Sequence, residues 1–269
     1  MQTRTGSTPQ NGEVRSGRWI EVAGVFGFFA LVLAHLMRFC TVSEMLSWLT
    51  PVAALLALVV ADFFSGLVHW MADTWGSEDM PWIGPRLLRP FRLHHIDPLA
   101  MLHHDFLETN GNTGLLAIPN LLFALALPLD SALGRFVAVF LVAMMVWGFA
   151  TNQIHKWAHT SDPPPVVRWL QGRGLILTPQ HHEGHHTTPF ARNYCITTGW
   201  CNTLLTAVGF FPALERCIAA LTGLAPRSYE LAQPADATPP PAAMQKTGSP
   251  LRFSWQLGQG PPGASSPSC

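Results

Sequence analysis

Gln180-His181-His182-Glu183-Gly184-His185-His186 places four of the chain's 12 histidines within six residues. Neutral imidazole is the commonest protein ligand for iron, zinc and copper. If the stretch is helical, His181 and His185 share one face, and so do His182 and His186. His182 and His185, three apart, are also neighbours. The pattern recurs elsewhere in the chain. His69 and Asp73 are four apart, His155 and His159 are four apart, and His94-His95 and His103-His104 are doublets. Only His35 stands alone, and a lone histidine near a helix end reads as a packed or snorkelling residue. One metal centre would gather these groups only if the fold brings them to one place.

Composition says what kind of fold that is. The chain has 269 residues, 48% apolar and 12% charged, with 10 Trp and 16 Phe. A soluble domain carries about 25% charged residues, so a membrane protein is expected. The net charge of zero gives no nucleic-acid footprint. Five cysteines, Cys40, Cys195, Cys201, Cys217 and Cys269, make no CxxC pair. They suggest neither a structural zinc site nor a disulfide framework.

Four apolar runs are read as crossings, at about 19–39, 50–68, 114–129 and 136–154. About 20 helical residues cross ~30 Å of hydrocarbon. Four crossings put the N-terminus, the 69–113 segment and everything after 155 on one side. All the histidine groups then meet there, beyond the ends of the second and fourth spans. Arg86, Arg89, Arg92, Lys156 and Arg168 mark that side as cytoplasmic. The expectation is an all-α integral membrane protein with about four transmembrane helices and a cytosolic-side histidine-rich di-metal site. Its domain is expected over 18–225, between a disordered N-terminal tail, 1–17, and a disordered Pro-rich tail, 226–269.

Twelve residues are candidate ligands: His69, Asp73, His94, His95, His103, His104, His155, His159, His181, His182, His185 and His186. A zinc hydrolase needs three protein ligands and water, and haem one or two. Two irons that each keep a position open for oxygen need about eight. Other residues fit a supporting shell. Asp97, Asp105 and Glu108 stand beside the doublets and suit acceptance of a ring N–H. Asn152, three before His155, suits a metal-bound water. Asp62, inside the second span, shares a helix face with His69 and Asp73; a carboxylate there calls for a partner or a function. Iron with oxygen at a membrane edge suits hydrogen removal from a lipid chain. The histidine pattern leaves desaturation and hydroxylation both open.

The strings around the histidines go further. Val68-His69-Trp70, Asp73-Thr74-Trp75-Gly76, Phe91-Arg92-Leu93-His94-His95-Ile96-Asp97-Pro98 and His104-Asp105-Phe106-Leu107-Glu108-Thr109-Asn110-Gly111 resemble one family closely. So do Thr151-Asn152-Gln153-Ile154-His155-Lys156-Trp157-Ala158-His159, the 181–186 cluster and Tyr194-Cys195-Ile196-Thr197-Thr198-Gly199-Trp200. Together they resemble the plasmanylethanolamine desaturases, the Kua or CarF-like membrane histidine-box desaturases, over about residues 50–225. The resemblance implies an oxygen-dependent enzyme with two iron ions. It would convert the 1-O-alkyl chain of an ether phospholipid to the vinyl ether of a plasmalogen, with electrons from a cytochrome b5-type or other reduced carrier. The implied setting is the inner cell membrane of a bacterium or the endoplasmic reticulum of a eukaryote. The implied ligands are His69, Asp73, His94, His95, His104, His155, His159, His181, His182, His185 and His186; His103 departs from the pattern. Plant relatives that desaturate an acyl chain share much of it.

Overall fold

In the computed structural model, residues 11–227 are described, with side chains from residue 17. The expected tails fall mostly outside this range. Among the described residues every regular element is helical. Helix α1 spans Asn11–Cys40, α2 Leu49–Thr74, α4 Phe106–Leu125 and α5 Ala132–Ala158, with the short α3, Arg89–Ile96, between α2 and α4. After α5 come α6, Pro165–Gly172, and α7, Pro179–Glu183; α8, Trp200–Ala207, and α9, Phe210–Thr222, follow.

Three segments are long and apolar enough to cross a bilayer: Gly17–Cys40, Leu49–Thr74 and Ala132–Ala158. Their 24, 26 and 27 residues rise 1.5 Å each, which exceeds the ~30 Å hydrocarbon core. The chain is thus a multi-pass membrane protein. The further candidate is the pair α8 and α9, bent by 59° at Val208–Gly209. Of the span expected at 114–129, residues 114–125 belong to α4, which starts eight residues earlier, and the rest lies beyond its end. Asp105 caps it by accepting from the Leu107 and Glu108 backbone N–H groups. That cap draws Glu108, Asn110 and Asn112 into the helix, and α4 is not among the segments apolar enough to cross a bilayer. α1 also begins at Asn11, ahead of the span expected from Trp19.

Small residues let α4 pack closely. A Cβ on Gly24 would lie 2.2 Å from the Gly111 carbonyl oxygen, and one on Gly114 would lie 2.6 Å from that of Gly24. Close backbone approach through small residues replaces the hydrophobic drive that lipid removes. Where α1, α4 and α5 meet, Phe28 stacks on Phe149 with ring centroids 4.0 Å apart. Val25, Leu121, Ala124 and Val142 fill the space around them. His35 is fully buried there, 2.9 Å from the Leu121 carbonyl. Phe26, Leu33, Leu36, Leu55 and Phe123 point outward, which suits lipid contact because the helices satisfy their own backbone.

At the other end, α2 pairs with α5 and meets α3. Buried Arg92 donates to the carbonyls of Ala72, Trp75 and Gly76. These include orphan acceptors at the end of α2, and satisfying them holds α3 against it. Asp62 ties down the chain before α8. Its Oδ1 accepts from the backbone N–H groups of Thr197, Thr198 and Gly199, and its Oδ2 from that of Cys201. Four donors satisfy a carboxylate that is fully buried inside a span.

Candidate metal centre

His69 and Asp73 are one turn apart on α2, and His155 lies on α5 with His159 at its C-cap. The Arg92 anchor sets His94 and His95 on α3 opposite them. α7 carries His182, and the turn after it carries His185 and His186. The 181–186 stretch is helical only to Glu183 because a five-residue helix gives way to that turn.

Nine residues converge as two groups. His94, His155, His159, His182 and His186 form one, and His69, Asp73, His95 and His185 the other; within each, the ligand atoms all lie within 4.8 Å of one another. Each helical or turn doublet is divided, with His94 and His186 in the first group and His95 and His185 in the second. Adjacent helical residues point about 100 degrees apart, so one doublet serves two neighbouring centres. The groups adjoin: the His69 and His155 ring centroids are 6.0 Å apart, and those of His182 and His185 are 5.8 Å apart.

The spacing fits metal ligation. In the first group Nε2 atoms lie 2.7 Å apart for His155 and His182, 3.0 Å for His94 and His159, 3.1 Å for His94 and His186, and 3.0 Å for His182 and His186. In the second, Asp73 Oδ2 is 3.1 Å from His95 Nε2, 3.4 Å from His69 Nε2 and 3.5 Å from His185 Nε2. Ligands about 2.1 Å from one ion sit about 3.0–3.4 Å from each other. His69 Nε2 and Asp73 Oδ1 are buried with no hydrogen-bond partner. Buried polar atoms rarely go unmatched, and a cation between them would satisfy both.

Main-chain carbonyls orient the rings. His69 Nδ1–H donates to the Tyr194 carbonyl at 3.1 Å, and His185 Nδ1–H to the Arg192 carbonyl at 2.7 Å. A carbonyl only accepts, so each ring keeps its Nε2 lone pair aimed inward. Electrostatics keeps the rings neutral. Burial, then repulsion from neighbouring histidines, holds His94 and His182 far below the usual histidine range. The same causes lower His159 to about 4 and His186 to about 3. Neutral imidazole is the form that binds metal.

Two expected ligands stand outside both groups. His104 is exposed, with its ring 3.6 Å from Glu108 and its carbonyl accepting from Lys156 Nζ. Asp105 starts α4 directly after it and leaves His103 and His104 outside the convergence. His181 is half-buried; its backbone N–H donates to the Thr178 hydroxyl, which caps α7. Of the expected supporting residues, only Glu108 faces a histidine ring, that of exposed His104. Asp62 holds the 197–201 backbone, and Asp97 ends α3 in an exposed position. Asp105 caps α4 and pairs with Arg18 at 2.7 Å. Glu108 faces His104, and Asn152 donates to the Thr109 carbonyl. The ring-orienting roles fall instead to backbone carbonyls, which no residue type announces, and to Arg92, whose identity alone did not reveal its partners.

Comparison with known proteins bears on this site directly. The lipid desaturase domain model matches residues 58–229, which include every member of both groups. The chain is 48% identical over 214 residues to plasmanylethanolamine desaturase of Myxococcus xanthus, covering 80% of this chain and 76% of that protein. It is 40% identical over 226 residues to plasmanylethanolamine desaturase 1 of Mus musculus, covering 81% and 82%. Fatty acid desaturase 4-like 1, chloroplastic, of Arabidopsis thaliana is 33% identical over 186 residues, covering 68% and 61%. No solved structure matches significantly. With a matching domain over most of its length, and with the site inside it, the chain belongs to the lipid desaturase family.

Proposed function

We propose that this protein desaturates plasmanylethanolamine, turning the 1-O-alkyl chain into a 1-O-alk-1'-enyl chain. The observation that carries this reading is the pair of adjoining ligand groups at the ends of two membrane spans, within a lipid desaturase domain. The named activity of the 48% and 40% identical relatives favours an ether lipid over the fatty acids named for the 33% identical one.

The two groups would hold two iron ions, the first through His94, His155, His159, His182 and His186 and the second through His69, Asp73, His95 and His185. Iron supplies reduction of O2 and hydrogen removal from an unactivated C–H. One O2, two electrons from a reduced carrier such as a cytochrome b5-type protein, and two protons yield two waters as the chain loses two hydrogens. The protein's own part is positioning. Tyr194 and Arg192 carbonyls fix two rings, Arg92 fixes the α3 doublet, and burial keeps His94, His159, His182 and His186 unprotonated. The site is expected on the cytosolic face of the inner membrane in a bacterium, or of the endoplasmic reticulum in a eukaryote.

Expression in a plasmalogen-free host supplied with 1-O-alkyl lipid, followed by lipid mass spectrometry, tests the proposal. An acid-labile product lighter by two hydrogens is expected. A hydroxylated, acid-stable product, or a purified protein that carries zinc and no iron, would overturn it.

A further inference from the structure

An open cavity of about 290 Å³ is lined by Thr160, Ser161, Arg168, Thr178 and Gln180 among others. We propose that it holds the phosphate of the lipid substrate's headgroup, an inference that rests on the function just proposed. The regiochemistry demands a nearby headgroup. The reacting carbon of a 1-O-alkyl chain is bonded to the ether oxygen, and six bonds separate it from phosphorus. At ~1.5 Å per bond in zigzag, that path spans only about 7 Å. An enzyme acting mid-chain could bind the headgroup much farther away.

Chain continuity sets the lining of the cavity next to the first ligand group. Thr160 follows His159, and Gln180 comes two residues before His182. Consecutive Cα atoms are about 3.8 Å apart. The segments that form one wall of the first ligand group therefore also line the cavity. The His159 and His182 ring centroids are 4.6 Å apart.

The chemistry of the lining suits a phosphate diester. Arg168 presents a planar fork of donors that matches phosphate oxygens. Its exposed guanidinium donates to Asp162 Oδ1, 2.7 Å away, and to the Pro163 carbonyl, partners that a phosphate would share or displace. The Thr178 hydroxyl accepts from the His181 backbone N–H, which leaves its own proton to donate. The depth also suits a headgroup. Val166, Trp169 and Arg173, three and seven residues apart, share the outer face of α6. Val166 and Trp169 are exposed, and the Arg173 guanidinium lies over the Trp169 ring, 5.2 Å from its centroid. Tryptophan and arginine favour the headgroup level of a bilayer.

Metal-loaded wild type, Arg168→Gln and Arg168→Lys would be compared with two substrates, a 1-O-alkyl phospholipid and the phosphate-free 1-O-alkylglycerol. Native mass spectrometry would measure retention of each. Arg168→Gln is expected to raise KM for the phospholipid about tenfold, the scale of one partly solvated charge-assisted hydrogen bond. Its kcat should hold, alkylglycerol turnover should not change, phospholipid retention should fall in step, and Arg168→Lys should recover part of the loss. An unchanged KM, or equal losses with both substrates, would overturn the assignment. Inorganic phosphate competing as well as a soluble short-chain alkyl phospholipid would make this a free-phosphate site and overturn it too. Arg168-dependent retention without any wild-type vinyl ether would uphold the cavity and remove the proposed reaction.

Discussion

Replacing Asp62 should unseat the metal centre from a distance. Its two oxygens accept four backbone N–H groups from residues 197–201. In Asp62→Ala the Thr197, Thr198 and Gly199 donors stay buried without an acceptor, while Cys201, half-buried, regains water. A buried unsatisfied donor costs about 1–3 kcal/mol, so the three together cost on the order of 4 kcal/mol or more. At about 2–4 °C per kcal/mol for a domain of this size, the midpoint in detergent should fall by roughly 8–16 °C. Asp62→Asn keeps Oδ1 for three donors but turns an amide N–H2 toward Cys201. It loses one bond and the charge, about 2 kcal/mol, so its midpoint should fall roughly half as far. The same backbone continues to Tyr194, whose carbonyl orients His69, so bound metal should fall in the order wild type, Asn, Ala. Thermal unfolding with metal analysis on the same samples checks both effects. An Asp62→Ala protein with the wild-type midpoint and full metal would refute the reasoning, as would an Asn variant as damaged as Ala.

Single alanine changes at His94, His182 or His186 should each remove one metal equivalent and more than 100-fold of activity, whereas His104→Ala and His181→Ala should keep both metals; metal counts on purified variants check this split. Protein stripped of metal should lose stability as pH falls from 6.5 toward about 4. His159 and His186 are held neutral in the fold, so the unfolded chain binds more protons in that window; a midpoint that rises on acidification would contradict the assignment. Gly24→Ala should lower stability by about 1–3 kcal/mol, read as a lower unfolding midpoint, because its Cβ would press on the Gly111 backbone rather than a movable side chain; Gly17→Ala, with open space around it, is the control.

Much of the site could be read from residue order because histidine spacing and hydropathy are local properties. His69 with Asp73, His155 with His159, and their place at the ends of two apolar runs needed only helical periodicity and hydropathy. What escaped depended on caps and turns. Asp105 was read as a ring acceptor beside a ligand, but it caps α4 and so leaves His104 in the open. α4 was hard to delimit because its asparagines and Pro119 dilute its hydropathy, although close glycine packing on α1 keeps it in the bundle.

The amino-acid order by itself settled the helical membrane class, the metal-binding character and the family resemblance, since composition and short strings carry each of them. Only the tertiary structure decided that the histidines form two groups rather than one. It also decided that the His94-His95 and His185-His186 doublets each serve both groups, and that backbone carbonyls and Asp62, acting through a loop, hold the rings in place. The physical reason is that division of a doublet depends on where facing helices put their own ligands. The Tyr194 carbonyl, likewise, meets His69 only through the path of a chain 125 residues away.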